Sequence, residues 1–449
     1  MTKESVNRYE LAAKRRNALL RKMKKNSVAI LPAATLKTRS NDTEYNFRQD
    51  SDFYYLTGFT EDNAVLVLKR GDKDTQTILF CQPKDKTKEL WTGILTGPKK
   101  AVALLNIDSA YSVTEIDSQL PELLADSDLI YYRTGLDSHW DKQVNGWVNQ
   151  VRRLARQGVQ APSQFAHIDP IIHEMRLIKS ADEIALMQKA ADISARAHCR
   201  AMLASRAGVT EYQLEAELQH EFLHSGASAP AYSSIVASGA NACILHYIEN
   251  RATLRNGDLV LIDAGCEYEH YAADITRTYP VSGRFSKEQS ALYEIVLKAQ
   301  LAAIDAIKPG NPADQPHQVA TRIITEGLVE LGLLKGKPAT LIQEGAYRDF
   351  FMHGTGHWLG IDVHDVGAYK TGGKNNATSR PFQPGMVTTI EPGIYVAPDN
   401  RKVAKKWRGI GIRIEDDVLV TRSGNRVLTD GVPKTISEIE ALMATRQES

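Results

Sequence analysis

The chain has 449 residues, of which 43% are hydrophobic and 24% are charged. A chain of this length is longer than a typical single domain with one hydrophobic core, so we expect two globular domains. A net charge of +1, with no apolar run of about 18 residues, argues against nucleic acid and membranes as partners. The four cysteines lack CxxC spacing and the charged N-terminal segment lacks a signal-peptide core, so we expect reduced thiols and a cytoplasmic location.

The first part of the chain predicts a mixed α/β domain. A helix is expected from about Ser5 to Lys25, and strands are expected in VAILPA, AVLVLKRGDKDTQTILFC, YSVTEI and DLIYYRTG. No dinucleotide, P-loop or nucleophile-elbow motif occurs there, so this part offers no nucleotide site and no serine nucleophile. The polar segment RQGVQAPSQFAHID precedes a change of pattern, and we therefore assign residues 1–176 and 177–449 to two domains.

Capping boxes mark the starts of three helices in the second part of the chain. In each box two side chains satisfy the first free N–H groups of the helix. The pairs are Ser180 with Glu183, Thr210 with Gln213, and Ser286 with Gln289. A fourth helix, carrying Val319 and Leu331, should end at Gly332. These helices alternate with strands, which indicates an α+β domain.

An internal repeat places acidic residues at the ends of apolar strands. The strand LVLID ends on Asp263, and a second strand-like segment carries Asp274. Later in the chain PGMVTTIEPG and RIEDDVLVTRSG repeat this pattern, so that Glu391 aligns with Asp263 and Glu415 with Asp274. Buried ionised carboxylates are costly unless they are paired or bind a metal. We therefore expect the four carboxylates to share a metal centre.

Two choices of ligand follow from this pattern. Strand alternation puts Glu415 and Asp417 on one face, with Asp416 on the other, and the repeat alignment favours Glu415. Three histidines lie between the repeats, at positions 353, 357 and 364. Each histidine alone is more typical of a core or loop residue, but one of them with four carboxylates suits Mn²⁺, Mg²⁺ or Co²⁺ better than Zn²⁺. Because carboxylates in close contact repel by roughly 4 kcal/mol per pair, we expect two divalent ions.

A series of motifs runs through nearly the whole chain. In order, they are RQDSDFYYLTGF, CILHYIEN, LIDAG, ADITRT, HGTGHWLG, HDVG, IEPGIY and GIRIEDD. The series resembles the pita-bread metallopeptidases, and within them the aminopeptidase P branch. The resemblance implies a C-terminal pita-bread fold with an internal pseudo-two-fold repeat, preceded by a smaller mixed α/β domain. It also implies two metal ions, and Mn²⁺ is the metal usually linked with this branch.

The resemblance further implies a role for each candidate site residue. Asp263 would chelate one ion, Asp274 and Glu415 would bridge both, and His357 and Glu391 would hold the other. His246, His353 and His364 would surround the scissile bond, Arg413 would lie near Glu415, and Tyr395 would contact the substrate. A hydroxide bridging the two ions would attack the carbonyl before proline. His364 would stabilise the oxyanion, and Glu391 would carry a proton to the leaving nitrogen.

The implied activity is hydrolysis of the N-terminal Xaa-Pro bond of peptides with proline second. Two alternatives remain open, namely a prolidase restricted to Xaa-Pro dipeptides and a non-catalytic pita-bread module that only binds partners. The resemblance also implies a homo-oligomer, a tetramer or a dimer, in which the N-terminal domain narrows access to the cleft and brings Asp42 and Trp91 close to the substrate. Alternatively, Trp91 packs in the core of its own domain and Asp42 caps a turn. The loop from Tyr369 to Arg380 is longer than expected for the family.

Overall fold

The computed structural model describes residues 7–446, which form two units divided between His173 and Glu174. The division lies within a helix that spans Asp169–Leu177. Of the helices in the described range, none is long and apolar enough to cross a membrane.

The first unit is built on a six-stranded mixed sheet. The strands of this unit are β1 (Ser27–Pro32), β2 (Thr38–Ser40), β3 (Thr43–Glu44), β4 (Val65–Arg70), β5 (Thr75–Cys81), β6 (Ser109–Ser112), β7 (Leu129–Tyr131) and β8 (Gln164–Ala166), of which β2 and β3 form a separate hairpin. Its helices are α1 (Arg8–Lys22), α2 (Ser51–Thr57), α3 (Lys86–Thr92), α4 (Gly97–Leu105), α5 (Ile116–Leu124), α6 (Ser138–Arg152) and the start of α7 (Asp169–Leu177). The strand order is β6-β5-β4-β1-β7-β8, and α5 and α6 contribute to the core against this sheet.

The predicted elements of this unit are largely confirmed. Helix α1 occupies the expected segment, although Ser5 lies outside the described residues, and β4 and β5 form the expected antiparallel pair. The strand expected at YSVTEI is wrong beyond Ser112. There the side chains of Ser112 and Glu115 form a capping box, which turns the chain into a helical segment. The polar segment before the second domain also contains β8, an edge strand that was not predicted.

The second unit contains shorter sheets between longer helices. Its strands are β9 (Ala229–Pro230), β10 (Ile235–Ser238), β11 (Leu259–Asp263), β12 (Cys266–Tyr268), β13 (Tyr271–Ala272), β14 (Thr276–Pro280), β15 (Lys370–Thr371), β16 (Thr378–Ser379), β17 (Val387–Ile390), β18 (Gly393–Val396), β19 (Ile410–Arg413), β20 (Asp416–Val420) and β21 (Asn425–Val427). Its helices after α7 are α8 (Ala181–Ala204), α9 (Glu211–His224), α10 (Lys287–Asp305), α11 (Gln315–Glu330), α12 (Pro338–Glu344) and α13 (Ile436–Ala444). The three expected capping boxes begin α8, α9 and α10, and Gly332 follows the end of α11 with a φ of 71°.

Two antiparallel strand pairs correspond to the repeat in the sequence. Strand β11 pairs with β14, and β17 pairs with β20. Asp263 ends β11, and Glu391 directly follows β17. Asp274 lies two residues before β14 and not within a strand as expected, because the intervening chain forms the separate hairpin β12–β13.

The two pairs are joined at the residues that carry the acids. The backbone N–H of Glu415 donates to the carbonyl of Thr276 at 3.0 Å. The segment 353–357 is attached to the second pair, since Glu391 N donates to Thr355 O at 2.8 Å and Thr389 N donates to His357 O at 2.9 Å. Backbone hydrogen bonds therefore bring residues that are distant in sequence to one place.

Candidate metal centre

A cavity of about 650 Å³ lies in the second unit, where these strand ends meet. The candidate site residues that line it are His246, Asp263, Asp274, His353, His357, His364, Glu391, Arg413 and Glu415. Sequence analysis proposed all nine from separate stretches of chain, and the fold places all nine on one cavity. The neighbouring acids Asp416 and Asp417 are not among its lining residues.

The carboxylates are held by short contacts to neutral and cationic partners. The Tyr232 hydroxyl lies 2.6 Å from Oδ1 of Asp263 and is also within hydrogen-bond distance of Asp274. Arg413 Nη2 donates to Oδ2 of Asp263 at 2.6 Å. The Thr276 hydroxyl donates to Oε2 of Glu415 at 2.6 Å. These partners fix the directions in which the remaining carboxylate oxygens can bind a cation.

His357 presents one ring nitrogen to the acids. Its Nδ1 lies 3.0 Å from the carbonyl of Trp358, to which it donates, so Nε2 is the ring nitrogen that faces the acids. Nε2 is 3.4 Å from Oδ2 of Asp274 and 3.7 Å from Oε1 of Glu391. This is the ring orientation that a metal-ligating histidine needs, and Nε2 must lose its proton before it can bind a cation.

The pKa values of the site residues reflect their burial and the excess of carboxylates over cationic side chains. Burial raises the pKa of Glu391 to about 7, and burial together with the charge of Asp274 raises the pKa of Glu415 well above its usual range. Burial also raises the pKa of Asp263, although Arg413 opposes this shift. Burial works against the charged forms of Asp274 and His357 too. The hydrogen bond between these two nevertheless lowers the pKa of Asp274 and raises that of His357 to about 9.

The donor set fits divalent cations. Within the described residues, Arg413 is the only arginine or lysine that lines the cavity, against four carboxylates. Donor atoms of Asp274, His357 and Glu415 all lie within 4.8 Å of one another. Carboxylate oxygens with one imidazole nitrogen suit hard or borderline divalent ions. Such ions would supply the positive charge that the protein itself lacks here.

Arg413 begins a chain of hydrogen bonds that leads to His353. Arg413 Nη1 donates to the hydroxyl of Tyr395 at 2.9 Å, and this hydroxyl lies 2.8 Å from Nε2 of His353. His353 Nδ1 lies 2.7 Å from the carbonyl of Gly354. Both ring nitrogens of His353 thus have protein partners, and burial lowers its pKa to about 4. Tyr395, predicted to contact substrate, is only 2% exposed and does not line the cavity, so in this structure it supports His353 and Arg413 instead.

The other predicted residues occupy different environments. His246 and His364 are exposed at the cavity, and the ring of His364 packs edge-on against His357 at 4.3 Å. Asp42 is exposed in the turn between β2 and β3 of the first unit. Trp91 is 82% exposed on α3, so packing in the core of its own domain, the alternative considered for it, is wrong.

The acids next to Glu415 have other uses. Asp416 is fully buried and accepts hydrogen bonds from Arg277, Gln300, Thr429 and Lys434, and the two cations hold its pKa at about 2 against the effect of burial. Asp417 accepts a hydrogen bond from the backbone N–H of Asp274 at 3.1 Å. Neither contact could be read from strand alternation.

Three residues near the cavity were not found from the sequence. Tyr232 contacts two of the carboxylates, Thr276 contacts a third, and Tyr369 lines the cavity while its ring stacks on Trp358. Tyr232 lies in APAYSSIVASG, which has no recognisable motif. Thr276 lies in the motif ADITRT, where only its position two residues after Asp274 marks it as a neighbour of the acids.

Comparison with known proteins identifies the family. Residues 185–422 match metallopeptidase family M24, and residues 12–131 match the N-terminal domain of aminopeptidase P. The chain belongs to metallopeptidase family M24. As a member with this donor cluster, it uses divalent metal ions.

Relatives of this M24 chain resemble it over nearly its full length. It is 47% identical to the Xaa-Pro aminopeptidase of Escherichia coli, over 97% of this chain and 98% of that protein. It is 46% identical to the Xaa-Pro aminopeptidase of Haemophilus influenzae, over 96% of each. Its fold matches the aminopeptidase PepP of Pseudomonas aeruginosa with a TM-score of 0.96 and 53% identity, covering 98% and 99% of the two chains.

A second structural match concerns the metal. Zinc-substituted E. coli aminopeptidase P in complex with product has a TM-score of 0.95 and 46% identity, over 98% of this chain and 99% of that one. These matches confirm the predicted fold, a C-terminal pita-bread domain preceded by a smaller mixed α/β domain.

We predict that the metal-free M24 chain loses stability as the pH rises. The pKa of Glu391 is raised from 4.5 to about 7, so the folded state holds a proton that the unfolded state releases. The resulting stabilisation is complete below pH 4.5 and is lost as the pH passes through about 7. Urea unfolding of chelator-treated protein should show a loss on the order of 1–2 kcal/mol between about pH 5 and about pH 8.

Two controls make this measurement specific. Glu391→Gln cannot titrate and should lose less stability over the same range. Metal-loaded protein should not show the loss, because metal ligation favours the deprotonated carboxylate. A gain of stability with pH in the chelated wild type, or an equal loss in Glu391→Gln, would contradict the prediction.

Proposed function

We propose that this chain is a Xaa-Pro aminopeptidase, which hydrolyses the first peptide bond of substrates that have proline in second position. The observation that carries the proposal is the match to two proteins of that name over 96–97% of this chain, so that both units are included. The nine candidate residues on one cavity support the same activity.

The proposed metal ligands are the five donors that face one another. Asp263, Asp274, His357, Glu391 and Glu415 would hold two divalent ions. We propose Mn²⁺ as the natural metal, because four carboxylates with one imidazole suit a hard ion. When bound, two such ions supply a hydroxide nucleophile at neutral pH and positive charge for the developing oxyanion.

The remaining residues act on the substrate or on each other. His246 and His364 are exposed at the cavity and can donate hydrogen bonds to the peptide around the scissile bond. Glu391, partly exposed there, can carry a proton to the leaving proline nitrogen. His353 and Arg413 are joined through Tyr395, and this chain of contacts positions Asp263.

Proline in second position calls for a dedicated enzyme. Its ring fixes φ and its nitrogen has no N–H, so a protease that reads an extended backbone by hydrogen bonds cannot bind it normally. In this chain Val363, Tyr369, Ile235 and Leu245 add apolar surface to the cavity beside the polar groups. A mostly apolar wall with few polar groups suits a proline ring.

The activity can be tested with two matched peptides. We expect release of free arginine from Arg-Pro-Pro, faster with added Mn²⁺ than after chelation. Arg-Pro serves as the comparison, since hydrolysis of the dipeptide alone would favour a prolidase instead. No hydrolysis of either peptide by the metal-loaded chain would favour a binding module.

The ligand assignment predicts a joint loss of metal and activity. Asp274→Asn and Glu415→Gln each remove one carboxylate charge from the proposed donor set, so bound metal should fall below two per chain and hydrolysis should be abolished. Asp305→Asn, a change at a carboxylate that is 79% exposed, is the control and should leave both unchanged. Two bound ions together with an unchanged rate in either ligand variant would refute the assignment.

We further propose that residues 1–176 serve oligomerisation and substrate access. Leu90, Trp91 and Ile94 are each 82% exposed, which makes an unusually apolar surface around α3. A dimer or tetramer would cover this surface and bring Trp91 and Asp42 close to a substrate cleft of the assembly. We propose the cytoplasm as its location, which suits four free thiols.

Light scattering and kinetics on Trp91→Ala test this role. We expect the wild-type chain to be an oligomer. In Trp91→Ala the KM for peptides longer than dipeptides should rise about fivefold, because tryptophans often contribute much of the binding energy of an interface. Leu136→Ala is the control, because Leu136 is 72% exposed elsewhere in the same unit. A monomeric wild type, or an equal KM in both variants, would rule the role out.

A further inference from the structure

His246 lies on a stretch of chain that no long element supports. It belongs to the connection between β10 and β11, which contains a 3₁₀ helix at Gly239–Cys243 and then continues without helix or strand to Leu259. His246 is exposed, as are its neighbours Ile244 and Ile248. A side chain placed in this way can act on substrate reproducibly only if the backbone beside it is fixed by other contacts.

One buried carboxylate provides such contacts. Glu211, the first residue of α9, is fully buried and accepts five hydrogen bonds, two from the last residue of β10 and three from this connection. Its Oε1 accepts from Ser238 N, Ser238 Oγ and Asn241 Nδ2 at 2.7, 2.7 and 3.1 Å, and its Oε2 accepts from Tyr247 Oη and Ala252 N, both at 2.8 Å. Its own backbone N–H donates to Ala252 O at 2.9 Å.

The two carboxylate oxygens of Glu211 bind residues on opposite sides of His246 in the chain. Oε1 holds the end of β10 and the 3₁₀ helix, before His246 in the chain. Oε2 holds Tyr247 and Ala252, after His246. The carboxylate thus ties together the two sides of the segment that presents His246 to the cavity, and Tyr247 is the bonded residue adjacent to it.

A second buried side chain fixes the same segment farther on. Asn250 is 1% exposed and has a φ of 51°, a conformation that asparagine tolerates better than most residues. Its side chain accepts from Val236 N at 2.9 Å and donates to Ser234 O at 2.8 Å. The chain after His246 is therefore anchored to β10, and Tyr247 is left as the contact that sets the position of His246 itself.

We propose that Glu211 and Tyr247 are positioning residues for catalysis, which hold His246 in place at the cavity through the hydrogen bond between them. The proposal rests on the proposed contact of His246 with substrate. It extends the site to a residue on α9 that lies far from the metal ligands in sequence and lines no part of the cavity.

The test compares two single hydrogen bonds to the same carboxylate. Tyr247→Phe removes the 2.8 Å bond next to His246, and Ser238→Ala removes the 2.7 Å hydroxyl bond on the other side of the connection. Both variants keep four of the five bonds to Glu211. We expect Tyr247→Phe to lower kcat about tenfold, since small displacements of a catalytic group are costly, and Ser238→Ala to leave it nearly unchanged. Both should keep the wild-type metal content and have similar unfolding midpoints.

A double variant separates positioning from general support of the fold. If Tyr247 acts through His246, adding Tyr247→Phe to His246→Ala should cause no further loss of kcat. Equal kcat in Tyr247→Phe and Ser238→Ala, or a full additional loss in the double variant, would overturn the inference alone. A wild-type rate in His246→Ala would instead overturn the proposed substrate contact of His246, and the inference with it.

Discussion

Mutual repulsion among buried carboxylates is the constraint on which the second unit depends. Four acids share a cavity with one arginine among the described residues, and neighbouring side chains hold these carboxylates close together. Asp263 is restrained by Arg413 and Tyr232, and Glu415 by Thr276. These partners hold the carboxylates in place, although burial raises the pKa values of Glu391 and Glu415 and so favours their protonated forms. A bound cation would displace those protons, so metal binding would add to folding stability.

The internal repeat assembles the site by using the same strand arrangement twice. Each antiparallel strand pair contributes one acid at the end of a strand and one acid just before the partner strand. Buried pairs such as Arg277 with Asp416 then join the halves behind the cavity, with 2.7 Å between their charged atoms. The interior thus separates two kinds of acid, those satisfied by protein cations and those left for metal.

Much of this arrangement was predictable because it depends on local pattern. Capping boxes located α8, α9 and α10, and the repeated acids at or near strand ends pointed to the four carboxylates that line the cavity, since both signals are confined to a few adjacent residues. The contacts that depend on distant parts of the chain were not predictable. Tyr232 lies 31 residues before the carboxylate it contacts, and Glu211 lies 36 residues before Tyr247, with no periodic signal to connect either pair. The role of Asp416 likewise depends on Arg277 and Lys434, which lie 139 and 18 residues away in the sequence.

The hairpin β15–β16 shows how such a site tolerates change nearby. Its base is closed by Arg380 N, which donates to Tyr369 O at 2.9 Å, while Tyr369 stacks on Trp358 and Arg380 pairs with Glu174. The residues between β15 and β16 are exposed, and each strand of the hairpin is only two residues long. Because the closure is at the base, we expect that additions at the tip leave His364 and His357 in place. The tip is therefore a practical point at which to attach a fluorophore or an affinity tag.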